Sequence, residues 1–105
     1  MGKSMGRCIV SKNILEHKGK LKWCIKERPV NEVDNGWRFL SSEDTDDFLE
    51  DSLNMLVCDW STIIQIEPTV ISIVNMPEGT DINLINEDGK KYFIYTDTEE
   101  RVIFK

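Results

Sequence analysis

Apolar and polar positions alternate along much of this chain, and that alternation predicts a set of short strands. Arg7-Cys8-Ile9-Val10-Ser11 reads as a first strand. Residues Asn13 to Gly19 then turn polar, with Ile14 and Leu15 as anchors. Lys20-Leu21-Lys22-Trp23-Cys24-Ile25-Lys26 predicts a strand with Leu21, Trp23 and Ile25 on one face and lysines 20, 22 and 26 toward solvent. Pro29 ends it. The polar stretch Asn31 to Gly36, with Asn35-Gly36 as its turn signal, leads into a third strand, Trp37-Arg38-Phe39-Leu40, with Trp37 and Phe39 on a shared face.

Beyond that strand the pattern changes. Ser41 or Ser42 is placed to cap a short helix over an acidic run, fastened to the body by Phe48 and Leu49. Leu53 to Cys58 predicts another strand, and Asp59 or Ser61 caps a helix over Thr62 to Ile66. Proline suits the first position of a helix and not its interior, so Pro68 opens a second short helix to about Val74. Met76-Pro77-Glu78-Gly79 breaks the pattern. Ile82 to Ile85 and Tyr92 to Tyr95 then flank a Gly-containing turn, the clearest hairpin signal in the chain, and Val102-Ile103-Phe104 reads as a last strand. Strands around a central helical insertion imply a single α+β domain over residues 1–105, a mainly antiparallel sheet with short helices packed on one face.

Charge sharpens this picture. Glu43, Asp44, Asp46, Asp47, Glu50 and Asp51 put six carboxylates in nine residues with no basic residue among them. Net charge is −6, and it is unevenly spread: residues 1–28 carry eight Lys and Arg against two acids, whereas residues 29–105 carry five against seventeen. Such charge suits either a solvated face that aids solubility or a surface that steers a basic partner, and it repels nucleic-acid phosphates, so nucleic acid is not the expected partner. No run approaches the roughly 20 apolar residues of a membrane span. Met1 to Gly6 has neither the apolar stretch of a secretory signal nor the Ser or Thr that myristoylation wants at residue 6, so the expected home is the cytoplasm.

Catalytic chemistry finds little support. Cys8, Cys24 and Cys58 are widely spaced with apolar neighbours and form no CxxC, which suits small buried hydrophobes. His17 lies in a lysine-flanked polar segment with only Glu16 adjacent, the setting of a solvated loop residue. The acidic run lacks the glycine that a calcium loop needs at its sixth position, so no metal and no cofactor is expected. Trp23 and Trp37 read as core. Trp60, at a strand-to-helix junction, is a candidate exposed anchor beside the acids.

Arg7 to Lys12, Gly19 to Trp23, Pro29-Val30-Asn31, Asp34 to Ser41 with its trailing acids, and Asp59 to Pro68 together resemble one bacterial family over roughly residues 7–76. It is the small α+β immunity-protein domain of polymorphic toxin systems, long catalogued as a domain of unknown function. Its most specific part is Gly36-Trp37-Arg38-Phe39 plus the acids; Trp23 and Pro68 extend the motif. The chain departs from the family pattern at Glu67, where Asp is usual before the proline, and at Trp60, where a smaller or aliphatic residue is expected. The resemblance implies a cytosolic, non-catalytic binder of a cognate toxin with a basic surface. Glu43, Asp44, Asp46, Asp47, Glu50, Asp51 and Trp60 are then the expected docking residues. The alternative is a regulatory or ligand-binding module with no toxin partner.

Overall fold

The computed structural model describes residues 5–104. The reading of the N-terminal residues 1–4 lies outside them. Six strands form a single sheet: β1 (Arg7–Ser11), β2 (Leu21–Lys26), β3 (Asp34–Ser41), β4 (Met55–Asp59), β5 (Asp81–Glu87) and β6 (Lys90–Tyr95). Their order is β4-β1-β3-β2-β5-β6. Only β1 and β3 run parallel; the other neighbours are antiparallel. Short helices α1 (Lys12–Leu15), α2 (Asp46–Glu50) and α3 (Trp60–Ile66) join them, with 3-10 helices at Ser52–Asn54 and Pro68–Ile73. The α+β class and the mainly antiparallel sheet are as the alternation predicted.

The core lies between one sheet face and the helices that cover it. Cys8 and Val10 of β1, Cys24 of β2, Trp37 and Phe39 of β3, Ile82 and Leu84 of β5 and Phe93 of β6 meet Ile14, Trp60, Ile63, Val70 and Ile73 there. Trp37 and Phe39 do share a face, with ring centroids 5.9 Å apart, and Phe39 meets Trp60 at 5.8 Å. Stacked rings at such separations add to the apolar burial that drives folding. The hairpin turns through Asp88 and Gly89, both left-handed at φ 52° and 87°, the conformation a tight two-residue hairpin loop requires. Pro68 opens its helix as expected, and the Glu67 carboxylate caps it by accepting from the Thr69 N–H, while the Thr69 hydroxyl also donates to it at 2.7 Å.

Four local expectations are corrected. The β2–β3 register shifts between Leu21 and Trp23, so Leu21 and Cys24 face the core while Trp23 is only half-buried, its indole N–H bonded to Asp81. The same shift turns Lys26 inward: its Nζ donates to the carbonyls of Val74 and Met76 at 3.2 and 2.7 Å and sits 5.6 Å from the Trp37 ring. Thr45, not Ser41 or Ser42, caps α2, because its hydroxyl accepts from the Phe48 N–H while Ser41 is the last residue of β3. Val102 to Phe104 forms no strand; a single bridge pairs Arg101 with Ile94, and Val102 N–H reaches the Phe93 carbonyl.

Candidate functional site

The acidic run leaves the sheet where the parallel strands β1 and β3 both end. Their termini lie side by side, and one carboxylate ties them together. Asp44 accepts from the Ser11 hydroxyl at 2.8 Å, from Asn13 Nδ2 at 2.9 Å, and from both the amide and the hydroxyl of Ser41. Burial pushes the Asp44 carboxyl up, but the hydrogen bonds from Ser41, Asn13 and Ser11 outweigh it and hold the group below the usual carboxylate range. Asp44 therefore fixes the root of the loop, its carboxylate engaged within its own chain.

The remaining acids face solvent. Glu43, Asp46, Asp47, Glu50 and Asp51 are all exposed. Among the described residues none of the five pairs with a lysine or arginine. Asp46 and Asp47 occupy the first turn of α2, and the Asp51 carboxylate accepts from the Leu53 N–H to open the 3-10 helix that follows. Phe48 and Leu49 are half-buried. The helix is thus short, pinned at both ends, and fringed with uncompensated negative charge.

Trp60 is not part of this surface. It is 3% exposed and stands against Phe39 in the core. Its backbone N–H donates to the Gly6 carbonyl, which seats the start of α3 against the first strand and sends the side chain inward. Asp59 holds the cap position of α3 without a side-chain cap bond; its carboxylate turns instead to Arg7 at 3.3 Å. Of the structural-motif residues, Gly36, Trp37, Arg38 and Phe39 are all buried.

Sequence reasoning missed two features. The first is an open cleft of about 700 Å³ lined by Ile14, Leu21, Ile66 and Leu84, by Lys18, Lys20, Lys22 and Lys91, and by the carboxylates of Glu43 and Glu67. His17 is exposed at its edge, and Lys91 is held by Glu67 at 2.9 Å. The lysines are legible as alternating positions, but their convergence over one opening depends on strand pairing. The second is a band of apolar side chains just beyond the acids: Leu53, Leu56 and Val57 are 77, 39 and 63% exposed. A run of apolar letters read as a strand does not tell which side chains stay uncovered.

Among the described residues no three of His, Cys, Asp or Glu converge to hold a metal ion, and no helix is long and apolar enough to cross a membrane. Neither a curated protein nor a solved structure matches the chain. A family model described as the Immunity protein Imm33 domain matches residues 8–95, a span that takes in the C-terminal hairpin as well as the region carrying the resemblance. The chain belongs to the Imm33 immunity-protein family.

Proposed function

We propose that this chain is a non-catalytic inhibitor that works in the cytoplasm and neutralises a cognate toxin of a polymorphic toxin system by docking the acidic α2 surface on a basic surface of the toxin. The observation that carries this reading is the set of five exposed carboxylates, Glu43, Asp46, Asp47, Glu50 and Asp51, which meet no cation of their own chain among the described residues. The immunity family supplies the expectation of a toxin partner. The Asp44 anchor supports it too, because a charged loop fixed in advance loses less conformational entropy on binding.

Charge of this kind acts mostly on encounter and partner choice. Converting Glu43, Asp46, Asp47 and Glu50 together to their amides leaves Asp44 and the fold in place. Stopped-flow association with the cognate toxin domain should then slow by about tenfold or more at low salt, with a flatter dependence on ionic strength. Association as fast and as salt-sensitive as before would sink the acidic-surface reading.

The cleft, where four lysines outnumber Glu43 and Glu67, favours a second reading, a module that takes a small ligand with no toxin partner. A Lys20→Glu, Lys22→Glu variant separates the two. Undiminished protection of cells against the toxin supports inhibition through α2; lost ligand response without any toxin binding supports the module.

A further inference from the structure

The two edges of this sheet are treated differently. β6 carries Lys90 and Lys91, and its outer side is partly occupied by the tail, through Tyr95 N–H to Glu100, Val102 N–H to Phe93 and the Ile94–Arg101 bridge. Lysines and covering segments are the usual devices that keep an edge from recruiting another chain. β4, at the other edge, reads Met55-Leu56-Val57-Cys58-Asp59, has no lysine and no proline, and among the described residues has no strand beyond it.

Register identifies which of its backbone groups are open. Trp60 N–H donates to the Gly6 carbonyl, so the Gly6/Trp60 pair is hydrogen-bonded. Antiparallel pairs alternate, so Cys8/Cys58 and Val10/Leu56 also bond to each other, whereas Ile9/Val57 does not. Both the N–H and the C=O of Val57 therefore point away from β1, with the Met55 C=O before them and the Asp59 N–H after. The Met55 N–H is already taken by Ser52. Four groups in strand register face outward.

We infer that β4 receives an extended, basic segment of the cognate toxin as a seventh strand. This deepens the immunity reading and rests on it. The side chains suit such an occupant: Leu53, Leu56 and Val57 supply exposed apolar contact. Residues 43–59 hold seven acids and no base; Asp44 is anchored and Asp59 paired with Arg7, and the other five leave a charge complementary to a lysine- or arginine-bearing strand. Strand addition takes affinity from main-chain bonds and specificity from alternate side chains. A second copy of this chain is a poorer occupant, because it would bring the same five uncompensated acids against these.

The test is hydrogen exchange on the wild-type protein alone and in complex with the cognate toxin domain, together with a Val57→Pro variant. The Val57 N–H makes no bond to β1, so proline there removes an outward donor without breaking the sheet. On binding, the Val57 and Asp59 amides should become protected, and Val57→Pro should weaken binding by about tenfold, the worth of one or two hydrogen bonds. Tight binding with both amides still exchanging freely overturns strand addition and leaves the inhibitor function standing. No binding by the wild-type protein overturns both. Protection that grows with protein concentration in the absence of toxin assigns the edge to a second copy and overturns the inference. The exchange measurement on wild type decides the matter even if the proline variant does not fold.

Discussion

Arg38 grips Asp34 through two parallel hydrogen bonds, Nη1 to Oδ1 at 2.8 Å and Nη2 to Oδ2 at 2.7 Å, with both side chains more than nine-tenths buried. Asp34 also accepts from the Val30 and Gly36 amides, and Glu27 meets Arg38 Nε from the surface. A buried pair of this kind contributes little against an apolar replacement, but removing one partner strands the other. Asp34→Ala should cost about 3–5 kcal/mol in urea denaturation, because Glu27, itself well exposed, is a weak substitute.

The same pair predicts acid sensitivity. The Arg38 guanidinium holds the Asp34 carboxyl far below the usual carboxylate range. Its folded value is thus below its unfolded value of about 4. Stability from the pair is therefore full above about pH 4 and is lost as pH falls below it toward the folded value. Thermal melts between about pH 2 and 7 should show a steep acid limb in the wild type. In Asp34→Asn that limb should be shallower, on a lower plateau.

Asp44 should behave unlike its acidic neighbours. Asp44→Ala leaves the Ser41 amide, two hydroxyls and the Asn13 amide without their shared acceptor, and should lose about 1–3 kcal/mol. Asp46→Asn or Glu50→Gln should move stability by no more than about 0.5 kcal/mol. Equal losses in chemical denaturation would contradict the division between an anchoring carboxylate and solvent-facing neighbours.

That division marks where the sequence stops being legible. The hairpin, the shared face of Trp37 and Phe39 and the acidic run follow from local signals: alternation, a glycine turn, a block of like charge. Asp44 differs from Asp46 through the nearby Ser41 and also through Ser11 and Asn13, more than thirty residues earlier, brought near by the parallel β1–β3 pairing. Lys26 departs from its expected face for a related reason. Alternation assumes an unbroken pleat, and one irregularity at Leu21–Trp23 exchanges the faces of every residue after it. Trp60 could be placed beside the acids in sequence, but only α3 packing against Phe39 decides that it is core.

The cysteines should separate by reactivity. Cys24 is fully buried, and burial pushes its thiol up. Cys8 and Cys58 face each other across β1 and β4 with sulfurs 3.9 Å apart; the hydrogen bond between them raises the Cys8 thiol and lowers that of Cys58, which is half-buried. Thiolate is the reactive form, so iodoacetamide at about pH 8 should label Cys58 first and leave Cys24 unmodified until unfolding. Peptide mass spectrometry over a time course reads the order directly, and early labelling of Cys24 would mean that the β2–β5 core opens far more readily than its packing implies.

Gly36 explains how two residues four apart in a strand can meet at all. In regular extended chain, residues 34 and 38 would lie about 13 Å apart. Here Arg7 pairs with Asp34 while Ile9 pairs with Arg38, so β3 spends two extra residues against β1, and Gly36 takes φ 88° within that irregularity. A Cβ at Gly36 would stand 2.4 Å from the Glu27 carbonyl, a backbone atom that the Glu27 N–H bond to the Gly36 carbonyl keeps close. Gly36→Ala should therefore cost at least about 1–3 kcal/mol from the left-handed backbone alone, with the clash added. Its loss should also be less than additive with Asp34→Ala, because both changes disrupt the same bend. A double-mutant cycle by urea denaturation measures that coupling, and strict additivity would show that the bend and the ion pair are independent.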